Sequence, residues 1–184
     1  LREVAARYQR EDVSAALEAM LIENPLDRYP SKRPPLPTFW QPRGWRRPVL
    51  RNGKALPDQA LDHVGTMFAF PTNEGVYPGI EQLREACIGP SLADFGWDAF
   101  GAWLYAGAPS KDSWAMNVLA LIGNDETARR LTPYIRAWPG EAAHARAVAG
   151  LDVLAGIGSD VALMLLNGIA QKVKFKGLQD KARE

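Results

Sequence analysis

The side chains with catalytic potential are few and scattered. His63 and His144 lie far apart, and neither has a second ligand-type residue at the i, i+4 spacing on which a helical zinc motif such as HExxH depends. Asp94 and Asp98 are four residues apart, which puts both carboxylates on one face of a helix. Such a pair can do acid–base work, but on an amphipathic helix it is ordinarily solvated. Cys87 is the single cysteine, so neither an intrachain disulfide nor a cysteine-based metal cluster can form; in an apolar helix it reads as core. Ser110, Ser113 and Ser159 read as caps or turn residues, because the chain has no GxSxG elbow, and it also lacks the GxxxxGK[ST] and GxGxxG phosphate loops. No catalytic, metal-binding or cofactor-binding residue is therefore named. The expectation is a protein that works by binding, with an enzyme site in a cleft as a further alternative.

The binding candidates come from charge. The chain carries a net charge of +1, but from Arg28 to Lys54 there are eight Lys or Arg and no Asp or Glu, which leaves 14 basic against 21 acidic residues elsewhere. The same stretch holds Phe39, Trp40 and Trp45 interleaved with Arg43, Arg46 and Arg47. Arginines can meet phosphates or carboxylates, and aromatics can stack on bases. A second, smaller basic cluster is formed by Lys172, Lys174 and Lys176. Arg43, Trp45, Arg46, Arg47 and these three lysines are the candidate partner-binding residues. The partner is expected to be a protein, with nucleic acid as the alternative. The other reading of the stretch is that its aromatics pin it onto the chain's own helices and its arginines pair with the acidic surface.

The elements that must position these residues are organised by a repeat. VLALIGNDETARRLTPYIR (118–136) and VLAGIGSDVALMLLNGIAQ (153–171) align at an offset of 35 residues, sharing Val118/Val153, Leu119/Leu154, Ala120/Ala155, Ile122/Ile157, Gly123/Gly158 and Asp125/Asp160. A fainter copy, ACIGPS, begins at Ala86. Each unit reads as helix, glycine turn, helix. The glycine closes a helix in the left-handed conformation, Asn124 or Ser159 caps the next, and Asp125 or Asp160 favours the positive end of its dipole. A period near 35 falls among helical-hairpin repeats, roughly 34 for tetratricopeptide and roughly 40–47 for HEAT-type units. The Trp, Leu-Gly and Tyr pattern of the tetratricopeptide is absent. The fold expectation is all-α: a HEAT-like α-α superhelix, a right-handed solenoid of helical hairpins, with an extended Pro-rich N-terminal arm.

Along the chain, residues 1–24 read as a helix with Val4, Tyr8, Val13, Leu17, Met20 and Leu21 on one stripe, ended by Asn24-Pro25. Residues 25–56 hold half of the prolines and no helical period, and read as an extended, partly polyproline II arm. Residues 57–184 read as helices: 57–70, 80–88, 90–105, one carrying Trp114, Val118, Leu119 and Ile122, a partner helix with Ala128, Leu131, Ile135 and Trp138 that Pro133 should kink, one at 143–157 with small residues at Ala143, Ala147 and Gly150, and 159–173. The last is apolar nearly all round from Val161 to Leu166 and is expected to be the most buried. Apolar residues make up 47% of the chain and six are Trp, ample for one core. No apolar run reaches the ~18 residues of a membrane span. The lone cysteine and the lack of a signal peptide fit the cytoplasm. The chain begins at Leu1 without Met and reaches Glu184 within a helical pattern, so it reads as a piece of a longer protein, in contact with neighbouring domains of that parent.

ALPDQALDHV, YPGIEQLREAC, GAPSKDSW, LTPYIRAWPG and the stretch from Ala145 to Ala182 together resemble a family of large bacterial proteins known as molybdate metabolism regulators. The resemblance covers about residues 51–184. It implies a bacterial, multidomain, regulatory protein and supplies no catalytic residues. Some members carry a separate Trp-Gly-Arg module linked to nucleic-acid contact; Arg43-Gly44-Trp45-Arg46-Arg47 does not reproduce it.

Overall fold

A computed structural model describes residues 33–70, 76–172 and 175–183. The helix expected over 1–24, the loop at 71–75 and Lys174 lie outside the described residues. Those that are described form helices, with no β-strand beyond two isolated bridges, Val49 with Ala55 and Leu50 with Cys87. The protein is all-α.

In chain order the helices are α1 (Asp58–Phe68), α2 (Pro78–Ala86), α3 (Gly89–Tyr105), α4 (Trp114–Asn117), α5 (Leu119–Ile122), α6 (Asp125–Ala137), α7 (His144–Ile157), α8 (Asp160–Lys172) and α9 (Lys176–Arg183). The boundaries follow local chemistry. Pro78 and Pro90 stand in the first turns of α2 and α3, where a missing N–H costs nothing. Asn124 caps α6 by accepting from the Thr127 N–H at 3.0 Å, and Ser159 caps α8 by accepting from the Ala162 N–H at 3.2 Å. All three copies of the repeat fall at a helix junction: α2 to α3, α5 to α6, and α7 to α8.

The longest helix, α3, is the wall between two apolar clusters. Leu92, Phe95 and Ala99 join α1, α2 and Trp40 on one side, while Phe100 and Trp103 join α4 to α9 on the other. Phe95 and Ala99 have no exposed surface, and Leu92, Phe100 and Trp103 have almost none. Burying each large side chain is worth about 1.5–3 kcal/mol, so this one helix anchors a large share of the core. In the second cluster α7 packs on α5, α6 and α8, and α9 closes over α7 and α8.

Four expectations need correction. Gly123 is not left-handed: its backbone is extended, at φ −70°, ψ 169°. What requires glycine there is space, since a Cβ would lie 2.4 Å from the Leu119 carbonyl oxygen. Gly158, at φ +63°, does take the left-handed cap. The helix expected around Trp114 is divided into α4 and α5 and preceded by a 3-10 turn at Ser110–Asp112. Its division comes where the Leu121 N–H reaches only three residues back, to Val118 O at 2.9 Å. The residue at the N-cap of α4 is Ser113, not Ser110, and it makes no side-chain cap. Helix α8 is not the most buried. Ala162, Ile169 and Ala170 face the core, whereas Leu163 and Met164 are 51% and 66% exposed; the neighbouring α6, α7 and α9 cover only part of its circumference. Finally, the stretch before α1 is not extended throughout. It contains a 3-10 turn at Pro42–Gly44 and a hairpin in which Leu50 N–H donates to Lys54 O at 2.8 Å around Gly53 at φ +81°.

The close approach expected of the small residues on α7 is found at Gly150, where a Cβ would lie 2.6 Å from Ile135 Cγ1 of α6 and 3.3 Å from Trp138. Gly101 in α3 faces open space. Gly150→Ala is expected to lower stability by about 1–3 kcal/mol through overpacking. Gly101→Ala should raise it by about 0.5–1 kcal/mol by restricting the unfolded chain. Urea midpoints of the two variants test both signs.

Candidate partner-binding surface

The candidate arginines before α1 are held by carboxylates of the helices. Arg46 is the centre of the arrangement. Its Nη2 donates to Asp98 Oδ1 at 2.6 Å, its Nε to Asp98 Oδ2 at 3.1 Å, and its backbone N–H to the same oxygen at 2.9 Å. Nη1 pairs with Asp94 Oδ1 at 2.6 Å, and Nη2 also reaches the Asp94 carbonyl at 3.3 Å. The guanidinium thus spans the two carboxylates that helical spacing puts on one face of α3. The hydrogen bond to Asp98 holds Arg46 above the ordinary arginine value, while partial burial pulls the other way. Asp94 meets Arg130 of α6 at 3.7 Å as well. Arg130 in turn pairs with Glu126 at 3.6 Å and stacks over Trp97, 5.1 Å from the ring centroid. Asp94 and Asp98 therefore work as an anchor for a cation of the same chain.

Arg43 and Arg47 converge on one carboxylate, Asp58, in the first turn of α1. Arg43 Nε lies 3.5 Å from Asp58 Oδ2, and Arg47 pairs with Asp58 Oδ1. Arg47 also donates to Leu56 O at 3.4 Å. Between these pairs the aromatics turn inward. Trp45 is half-buried, with its ring centroid 4.9 Å from Trp40 and 5.6 Å from Phe95. Trp40 is 7% exposed and lies edge-on to Phe68 and Phe95 and tilted on Trp114. Its indole fits because residue 65 is glycine: a Cβ there would come within 2.4 Å of Trp40 Cε2. The Trp40 Nε1 is buried without a hydrogen-bond partner, which costs part of what the ring's burial contributes.

Backbone bonds complete the attachment. Ile88 N–H donates to Val49 O at 2.7 Å and Arg51 N–H to Ala86 O at 2.9 Å. The Ser91 hydroxyl accepts from Val49 N–H at 2.9 Å and donates to Ile88 O at 2.7 Å. Cys87, fully buried at this seam, has its thiol pushed up by burial, with the charge of Arg51 opposing.

Of the lysine cluster, Lys176 is exposed in the first turn of α9, and Lys172 ends α8. His144 is exposed at the start of α7, and His63 is exposed on α1. Among the described residues no group of three or more His, Cys, Asp or Glu could hold a metal ion, and no helix is long and apolar enough to cross a membrane. Sequence reasoning missed Arg146, whose guanidinium lies over Trp103 and Trp138 beside a pocket. The one available signal was an arginine in the first turn of a helix, flanked on both sides by alanine (Ala145 and Ala147).

The chain aligns along its whole length with uncharacterized protein YehI of Escherichia coli (strain K12), at 45% identity over 185 residues, and spans 15% of that relative. No family model matches the chain. No solved structure matches it either.

Arg46→Ala is expected to cost about 1–2 kcal/mol, since the side chain is half-exposed and screened but bidentate. In a double-mutant cycle with Asp98→Asn the coupling should be about 1 kcal/mol and shrink in high salt. Trp40→Ala should cost about 3–5 kcal/mol, whereas Trp40→Phe, which removes the orphaned N–H, should cost under about 1.5 kcal/mol. Chemical denaturation of each variant supplies these values.

Proposed function

We propose that the chain is a HEAT-like helical-repeat segment that acts as a non-enzymatic interaction module within a longer bacterial protein. On this reading the protein partner of its outer α8 face is the adjoining helical unit of the same parent. The observation that carries the reading is the pair Leu163 and Met164, 51% and 66% exposed on α8. A Leu-Met pair of this kind in water forgoes burial worth about 1.5–3 kcal/mol per side chain. The occupant is taken to be more of the same chain because the relative aligned along this chain is several times longer, with these residues matching 15% of it. In a solenoid each helical hairpin buries its face on the next, and α8, in the second hairpin copy, presents such a face. The Pro-rich stretch before α1 is on this reading a strap that ties α1 to α3. The resemblance to molybdate metabolism regulators makes a regulatory parent part of the same proposal, in the cytoplasm.

Nucleic-acid binding by Arg43, Arg46 and Arg47 would have to break the pairs with Asp58, Asp94 and Asp98. The strap reading therefore expects fluorescence anisotropy of a duplex or a single strand at low salt to be unchanged by an Arg43/Arg46/Arg47→Ala variant. A salt-sensitive signal that this variant abolishes would favour the nucleic-acid reading instead.

The α8 face is tested with a photo-crosslinking residue at position 164 in the full-length parent. Adducts to peptides from helices of the parent outside this segment are expected, with little reaction from a crosslinker at exposed Asn167. Reaction of position 164 with solvent alone, or no more than at 167, would sink the proposal. In the isolated chain Leu163→Ser and Met164→Ser should leave stability within about 0.5 kcal/mol, and in the full-length parent they should lower it.

A further inference from the structure

We propose that the pocket at the start of α7 binds a small monocarboxylate with a compact apolar body, its carboxylate held by Arg146. The pocket has a volume of about 350 Å³ and is lined by Trp103, Met116, Ser113, Arg146 and alanines including Ala143 and Ala149. That is the small end of the range for ligand sites, about 300–1,000 Å³. The Arg146 guanidinium lies 5.5 Å from the Trp103 ring centroid and 5.6 Å from that of Trp138. Both rings are fixed. Each is 2% exposed, and Trp103 Nε1 donates to Pro109 O at 3.0 Å.

The cation differs in its partners from the arginines of the strap. Arg43, Arg46 and Arg47 each meet a carboxylate of the chain. Arg146 is half-buried, and among the described residues it has neither a carboxylate nor a hydrogen-bond acceptor. Its aromatic contacts stabilise the charge from the ring faces and leave the N–H donors at the guanidinium edge to a planar anion. A carboxylate matches that fork with two parallel hydrogen bonds. Most of the remaining wall is alanine, methionine and tryptophan, which offer a purely polar anion little contact. Ser110 and Ser113 add two hydroxyl groups to the lining. The inference is independent of the interaction-module reading, because neither Leu163 nor Met164 lines the pocket.

Phenylacetate is a suitable probe, with phenylacetamide as its neutral counterpart and inorganic phosphate as an anion lacking the apolar body. Titrations are followed by the indole N–H resonances of ¹⁵N-labelled chain. Phenylacetate should shift the Trp103 and Trp138 signals saturably, phenylacetamide should bind at least about tenfold more weakly, and Arg146→Gln should weaken phenylacetate by at least about tenfold. The proposal falls if phenylacetate shifts neither indole up to about 10 mM, if the amide binds as well as the acid, or if phosphate binds as tightly as phenylacetate. Should Arg146→Gln fail to give a folded spectrum, the comparison of acid and amide on the wild-type chain decides the matter.

Discussion

Helix α3 has to be buried on both sides, and the rest of the structure is arranged to do it. Seventeen residues carry Leu92, Phe95 and Ala99 on one face and Phe100 and Trp103 on another. An amphipathic helix needs one partner surface; this one needs two. The C-terminal helices cover the second face. For the first, α1 and α2 leave a gap that Trp40 fills from outside the helical part of the chain, resting on Gly65 and packed edge-on against Phe95 and Phe68.

That requirement accounts for the charge of the stretch before α1. To bring Trp40 and Trp45 onto α3 and α1, the backbone beside them must be fastened, and the fastenings are ionic: Arg46 to Asp94 and Asp98, Arg43 and Arg47 to Asp58. Half-exposed ion pairs contribute modestly. Their use here is positional, because a guanidinium bridging carboxylates four residues apart sets the register of the strap along the helix. The uneven distribution of charge along the sequence is thereby partly evened out in space: Arg43, Arg46 and Arg47 of the basic run lie against Asp58, Asp94 and Asp98 of the acidic remainder.

The surface left over divides by chemistry. On α8, Leu163 and Met164 are apolar side chains without cover, a condition suited to more protein. At the start of α7, Arg146 is a cation held by aromatic faces, a condition suited to a small anion. The two call for different partners and different experiments.

The sequence alone was sufficient for whatever depends on neighbours along the chain. The helical class, the junctions at Gly123-Asn124 and Gly158-Ser159, the caps by Asn124 and Ser159, and the burial of Ala128, Leu131, Ile135 and Trp138 all follow from local spacing and capping chemistry. Tertiary structure decided what depends on contacts between distant segments. Whether Arg46 faces solvent or Asp98 is a question about residues 52 positions apart, to which no local pattern speaks. The need for glycine at position 123 comes from the crowding of the Leu119 carbonyl, Thr127 and Ile157 around it, not from a left-handed turn. The exposure of α8 was set by how many helices reach it, and an all-round apolar pattern reports only how many it could accept. Arg146 was invisible for the same reason: its aromatic seat is assembled from α3 and the end of α6, more than forty residues apart for one ring and eight for the other.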